Sequence, residues 1–101
     1  MESHIKEYAG IILVPLRKEM YIRQKRIPLT DFESIFIDYL IEYNGYCNLD
    51  SFTVYLSDLY NKNQGKRCIV VYINRLRRKI YYQTGEKIIK CKYSFGYFID
   101  S

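Results

Sequence analysis

Residues 70–80 read VVYINRLRRKI, and Lys66-Arg67-Cys68-Ile69 precede them directly. The stretch is half apolar and half strongly basic. Its period decides the fold. At ~100° per residue, taking Cys68 as zero, Ile69, Ile73, Leu76 and Ile80 fall at roughly 80–140°. That apolar stripe is a core seam, and it predicts a helix over 66–81. Cys68, Tyr72, Arg75 and Lys79 lie within about 40° of zero, with Val71 and Arg78 roughly 60–80° to one side. The second face is therefore basic, with an aromatic ring and small side chains among the charges. No acid stands four residues from any of these cations, so the face repels itself and an anionic partner would relieve it. Arg outnumbers Lys, which suits forked contacts to phosphate and guanine edges. Lys66 and Arg67 sit in the first turn, where backbone N–H groups also favour phosphate.

Upstream, TDFESIFIDYLIEYNG opens at Thr30 with Glu33 three residues later, a capping box. Phe32, Ile35, Phe36, Tyr39, Leu40 and Tyr43 recur at helical steps and are expected to face inward. Asn44-Gly45 ends that helix. Tyr46-Cys47-Asn48 reads as a short extended piece. A second helix starts near Leu49-Asp50-Ser51, with Phe52, Tyr55, Leu56 and Leu59 inward. Residues 61–65, Asn61-Lys62-Asn63-Gln64-Gly65, form a polar loop. Asp31, Glu33 and Asp38 read as capping and surface residues.

The segment Tyr8 to Thr30 is rich in Ile, Leu, Val and Tyr and is interrupted by Pro15 and Pro28. Two or three short antiparallel strands are expected, at about 9–16, 20–24 and 26–29, with Lys25-Arg26 in a tight turn. Pro28 favours a sheet edge. At the other end, EKIIKCKYSFGYFID alternates as two strands joined at Ser94-Phe95-Gly96. The order is strands, three helices and a hairpin: an α+β domain with a helix-turn-helix followed by a wing. Residues 1–7 are expected to be flexible.

The 101 residues suit one domain. The net charge of +5 is unevenly spread: residues 1–58 carry −3 and residues 59–101 carry +8. No acid occurs between Asp58 and Glu86. That asymmetry points to a polyanion, nucleic acid above all. No apolar run reaches membrane-spanning length, and the terminus MESHIKEYAG is not a signal peptide, so a cytoplasmic location is expected. Cys47, Cys68 and Cys91 form no close pair and His4 is the single histidine, so no metal site is expected and the cysteines read as small hydrophobes. No Gly-rich phosphate loop or Ser-His-Asp set is present, so neither an enzyme nor a cofactor is expected. Most of the 12 tyrosines occupy apolar-face positions and are read as core.

GKRCIVVYINRLRRKI followed by IIKCKYSFGYFI resembles the winged-helix effector domain of OmpR/PhoB-type response regulators. That family's recognition helix runs Arg-Thr-Val-Asp-Val-His-Ile-x-Arg-Leu-Arg-Lys-Lys-Leu, and its wing ends in Arg-Gly-x-Gly-Tyr. The upstream RIPLTDFESIFIDYLIEYNGYCNLDSFTVYLSDLY is similar to the family's first two helices, so the likeness spans about residues 11–100. It implies a four-stranded N-terminal sheet, sequence-specific binding of double-stranded DNA for transcriptional regulation, and two protomers on tandem half-sites. It places Arg67, Cys68, Val71, Tyr72, Arg75 and Arg78 at base or phosphate contacts. Arg77 also matches a family arginine, but its position near 180° on the wheel suits a flanking phosphate or a structural role. Lys66 and Lys79 complete the basic helix. Tyr60 takes the place of an aromatic that packs or meets phosphate. The loop of Asn61, Lys62, Asn63, Gln64 and Gly65 matches one that touches RNA polymerase in some members.

Three departures stand out. Val70 replaces an Asp, Cys68 a Thr, and Tyr93-Ser94 the wing's Arg-Gly, so Lys90 and Lys92 are left to make the wing's DNA contacts. The stretch reads as an effector domain without a receiver domain. The alternative is a winged helix that docks protein through exposed tyrosines and the 61–66 loop.

Overall fold

The structure, a computed structural model, describes residues 5–61, 65–92 and 96–99. It is α+β, with three helices and two antiparallel sheets. The first sheet has four strands in sequence order: β1 (Lys6–Tyr8), β2 (Ile11–Val14), β3 (Glu19–Ile22) and β4 (Lys25–Pro28). Then come α1 (Asp31–Glu42), β5 (Tyr46–Asn48), α2 (Leu49–Tyr60), α3 (Lys66–Thr84), β6 (Ile89–Lys92) and β7 (Gly96–Ile99). The second sheet has the order β5-β7-β6, so the short strand between the first two helices closes onto the terminal pair.

The strand expectations need correction in their details. The expected strand 9–16 holds only β2, and β1 precedes it: Ala9 and Gly10, both at positive φ, turn the chain from β1 into β2. Pro15–Arg17 is a 3-10 turn instead of strand. Residues 6 and 7, expected to be flexible, belong to β1. The tight turn falls at Arg23-Gln24, at φ 52° and 70°, so Lys25 and Arg26 are paired strand residues. Two consecutive positive φ values make a type I′ turn, whose hand matches the strand twist. Arg and Gln enter that region at a cost that glycine avoids. Gln24→Gly is therefore expected to stabilise the fold by roughly 0.5–1 kcal/mol, read as a rise of about 3–6 °C in thermal unfolding. Pro28 does lie on an edge, in β4, where its missing N–H leaves no ladder bond unmade.

Alternation puts Ile11, Leu13, Met20, Ile22 and Ile27 on the inner face of the first sheet, all buried. Opposite them stands α1, which touches β1, β2, β5 and α3. Its capping box forms as expected: Thr30 Oγ1 accepts from Glu33 N at 3.2 Å, and Glu33 Oε1 accepts from Thr30 N at 2.9 Å. Phe36, Ile37 and Leu40 are fully buried, and the ring of Phe36 meets Phe52 of α2 and Tyr97 of β7 edge-on. Asn48 caps α2 by accepting from Ser51 N at 3.0 Å.

Tyr43, Tyr55 and Leu59, expected inward, are exposed. Tyr43 is the residue after α1, and Leu59 lies in the last turn of α2. The tyrosine reading also changes: among the described tyrosines only Tyr39 and Tyr97 are buried. A phenol can lay its ring on apolar neighbours while its hydroxyl stays in water, so an apolar-face position does not bury it. Glu19 is buried in the first sheet, where Arg26 Nε donates to it at 2.5 Å and the Tyr21 hydroxyl at 3.0 Å. The Arg26 hydrogen bond holds its carboxyl below the usual carboxylate range.

Candidate nucleic-acid interface

The helix α3 extends to Thr84, one turn beyond the expected end at 81, and stops at Gly85, left-handed at φ 75°. Its seam is the expected one: Ile69, Ile73, Leu76 and Ile80 are all buried. The opposite side exposes Arg67, Cys68, Val71, Tyr72, Arg75 and Arg78. Gly65, the N-cap, has no side chain to cap the first amides, and no acid lies in the first turn. Those N–H groups, with Lys66 and Arg67 beside them, present positive potential to solvent.

Neutralisation comes from other elements, which the spacing within one helix could not reveal. Lys66 pairs with Asp50 of α2. Arg67 and Arg78 form no ion pair or hydrogen bond among the described residues. Arg75 lies over the Tyr72 ring, 5.9 Å from its centroid, and Tyr72 meets Phe32 of α1 edge-on at 5.2 Å. Tyr72, Arg75, Phe32, Tyr60, Thr30, Asp31 and Glu33 surround a cleft of about 480 Å3 between the three helices. Tyr60, at the end of α2, thus shares a wall with the basic face.

Two of the expected contact residues turn inward. Lys79, placed on the basic face by its angle, reaches back to α1. Its Nζ donates to Glu33 Oε1 at 2.6 Å and to the Pro28 carbonyl at 2.8 Å. Glu33, the expected capping-box residue, is 5% exposed and serves both the cap and this pair. A long flexible side chain follows its partner, not the angle of its Cα. Arg77 settles as a structural residue: Nε donates to the Ile89 carbonyl at 3.0 Å, Nη1 to Asn74 Oδ1 at 3.1 Å, and the guanidinium lies over Tyr97 at 5.7 Å. It pins α3 to the second sheet. Lys79→Met leaves a buried carboxylate without its cation, so it is expected to cost ~2 kcal/mol in denaturant unfolding. The same change should leave the salt dependence of any polyanion binding unaltered.

The sequence reading missed two residues here. Tyr82, in the added turn, is 81% exposed and stands one turn beyond Arg78. The helical pattern through 82 carried the signal, but the apolar seam ended at Ile80. Lys87 joins Asn74, Arg77, Arg78, Tyr81 and Ile89 around a cleft of about 270 Å3, a proximity no local pattern encodes.

On the terminal sheet, Lys92 is exposed and Lys90 half-buried, in register with Gly96 and Phe98. Lys92 shares a cleft of about 660 Å3 with Tyr46, Cys91 and Phe98. Asn61 ends α2 in the left-handed region, and Gly65 starts α3. Lys62, Asn63 and Gln64, the rest of the expected partner loop, lie outside the described residues, as do Tyr93, Ser94 and Phe95 of the expected wing tip and His4.

The cysteines divide. Cys47 is buried, and burial pushes its thiol up to about 12. Cys68 and Cys91 are exposed, Cys68 on the outward face of α3 where the helical period puts it. Among the described residues no group of three or more His, Cys, Asp or Glu could hold a metal ion, and no helix is long and apolar enough to cross a membrane. Comparison of the chain with protein-family models and with curated proteins finds no match.

Proposed function

We propose that the chain is a winged-helix domain of the OmpR/PhoB type that binds double-stranded DNA in a sequence-specific way to regulate transcription. In this reading α3 enters the major groove and the β6–β7 hairpin lies beside a minor groove. The observation that carries it is the outward side of α3: among the described residues Arg67 and Arg78 stand unpaired, and Arg75, exposed, lies over the Tyr72 ring. An α-helix fits the major groove, and forked arginines suit guanine edges and phosphates. The uncapped first turn of α3 supplies backbone donors for a phosphate. The element order supports the same reading, because α2, α3 and the paired strands β6 and β7 follow one another as a helix-turn-helix and its wing would. Lys90 and Lys92 stand in for the arginine the wing lacks. The domain carries out no catalysis and needs no cofactor, works in the cytoplasm, pairs on tandem half-sites, and offers the 61–65 loop to RNA polymerase.

A second reading has one observation in its favour. α2 exposes Val54, Tyr55 and Leu59, an apolar surface of the kind that docks protein. Selection from random duplexes, followed by titration against salt, separates the two. DNA binding predicts an enriched half-site and an affinity that falls by roughly 0.9 log units per log unit of salt for each phosphate contacted. With about four phosphates, that is a loss on the order of 100-fold between ~50 and ~200 mM salt. Absence of duplex binding at low salt would leave the protein-docking reading.

A further inference from the structure

Phe32 belongs to α1, half-buried, and has no place on the basic face of α3. Its ring stacks on Phe36 at 6.4 Å and meets Phe52 edge-on at 6.0 Å, so the core holds it in place. Its remaining edge contacts Tyr72 at 5.2 Å. Tyr72 is itself 42% exposed, and the Arg75 guanidinium lies over its ring. A continuous line of contacts therefore runs from two fully buried rings, through Phe32 and Tyr72, to the guanidinium at the centre of the outward face. An unsupported arginine on a helix surface samples many rotamers. One laid against a fixed ring is ordered before it meets its ligand, and a bidentate contact to a base edge depends on that order. Among the described residues no ring lies under Arg67 or Arg78.

We infer that Phe32 is a positioning residue that sets base preference: through Tyr72 it holds Arg75 ready to read one guanine, while Arg67 and Arg78 serve the phosphates. This rests on the DNA-binding reading above and divides the labour within it. Specificity would then depend on a residue of the first helix that touches no DNA. The cleft beside Arg75, walled by Tyr60 and Asp31, leaves space for the side chain to move when that support is lost.

The test compares wild type with Phe32→Leu, and with Phe32→Met should the leucine variant unfold. Duplexes altered one base pair at a time around the selected half-site are titrated at fixed salt. The expected result is a loss of roughly 10-fold in discrimination at a single base pair, the size one bidentate contact supplies, with non-specific affinity and salt slope unchanged. Phe32→Tyr, which keeps the ring, restores discrimination. In the free protein, the Arg75 Hε resonance should lose its ring-current shift in Phe32→Leu and keep it in Phe32→Tyr. Equal weakening at every sequence, an unchanged discrimination profile, or an unmoved Arg75 resonance each overturns the inference. The failures are distinguishable. A wild type that binds no duplex sinks the DNA reading and this inference together, whereas selective wild-type binding with an unaltered Phe32→Leu profile sinks this inference alone.

Discussion

Replacing Gly96 by alanine should unfold much of the second sheet, with a loss of ~3 kcal/mol or more and a melting temperature lower by roughly 12–24 °C. Gly96 opens β7, the central strand, and stands in register with Asn48 on one side and Lys92 on the other. A Cβ there would overlap the Cys47 carbonyl oxygen, 2.9 Å from its carbonyl carbon and 3.2 Å from Asn48 Cα. All three are main-chain atoms of β5, so no rotamer change relieves the clash. Only a shift of the strand does, and that strand carries the buried Cys47 into the core. The thiols report the result. In the wild type, Cys68 and Cys91 should react quickly with a thiol reagent, while Cys47, buried and raised to about 12, should not. In Gly96→Ala all three should react. A variant with wild-type melting and a protected Cys47 would show that the strands do not approach this closely.

The other large effect concerns binding. Arg75→Ala is expected to cost ~1–3 kcal/mol on the selected site and to relax the preference at one base pair. Arg78→Ala should weaken all duplexes alike and reduce the salt slope by about one contact. The double variant should combine the two losses, a relaxed preference at that base pair and a weaker affinity for every duplex. Both side chains are exposed, so thermal stability should change by no more than about 0.5 kcal/mol. Lys79→Met supplies the inverse pattern, with lost stability and unaltered salt dependence, because Lys79 serves Glu33. Full affinity in the Arg75→Ala/Arg78→Ala protein would remove α3 from the interface and favour protein docking.

These two effects come from different distances along the chain, and that separates what a reader of the sequence can reach. The seam of α3, the capping box at Thr30 and Glu33, and the turn at Asn44-Gly45 all rest on residues within a few positions of each other. Each was legible because helix periodicity and capping are local properties. Element type and order followed except at β1, which falls where a flexible terminus is expected; the other errors are at boundaries, with a turn displaced from Arg23-Gln24 to Lys25-Arg26 and α3 one turn short.

The site divides the same way. Arg67, Tyr72, Arg75 and Arg78 lie outward because a helix with one apolar stripe must turn its other side to water. Lys79 and Arg77 carry the same charge on the same helix; the wheel puts Lys79 on the basic face, while Arg77, near 180°, suits a flanking phosphate or a structural role. Lys79 finds Glu33 across 46 positions and Arg77 the Ile89 carbonyl across 12. A wheel places the Cα; where a long cation's head rests depends on which acceptors the fold brings near.

The sequence by itself determined the helical seams, the caps, the succession of strands and helices, and the concentration of positive charge in the second half of the chain. Periodicity, capping and composition are written in neighbouring residues. Only the tertiary structure decided which cations remain available to a ligand, which tyrosines stay at the surface, why position 96 has no room for a side chain, and that a phenylalanine of α1 stands behind the arginine at the centre of α3. Each of these is a distance between residues far apart in the chain, set by the packing of elements that no local pattern specifies.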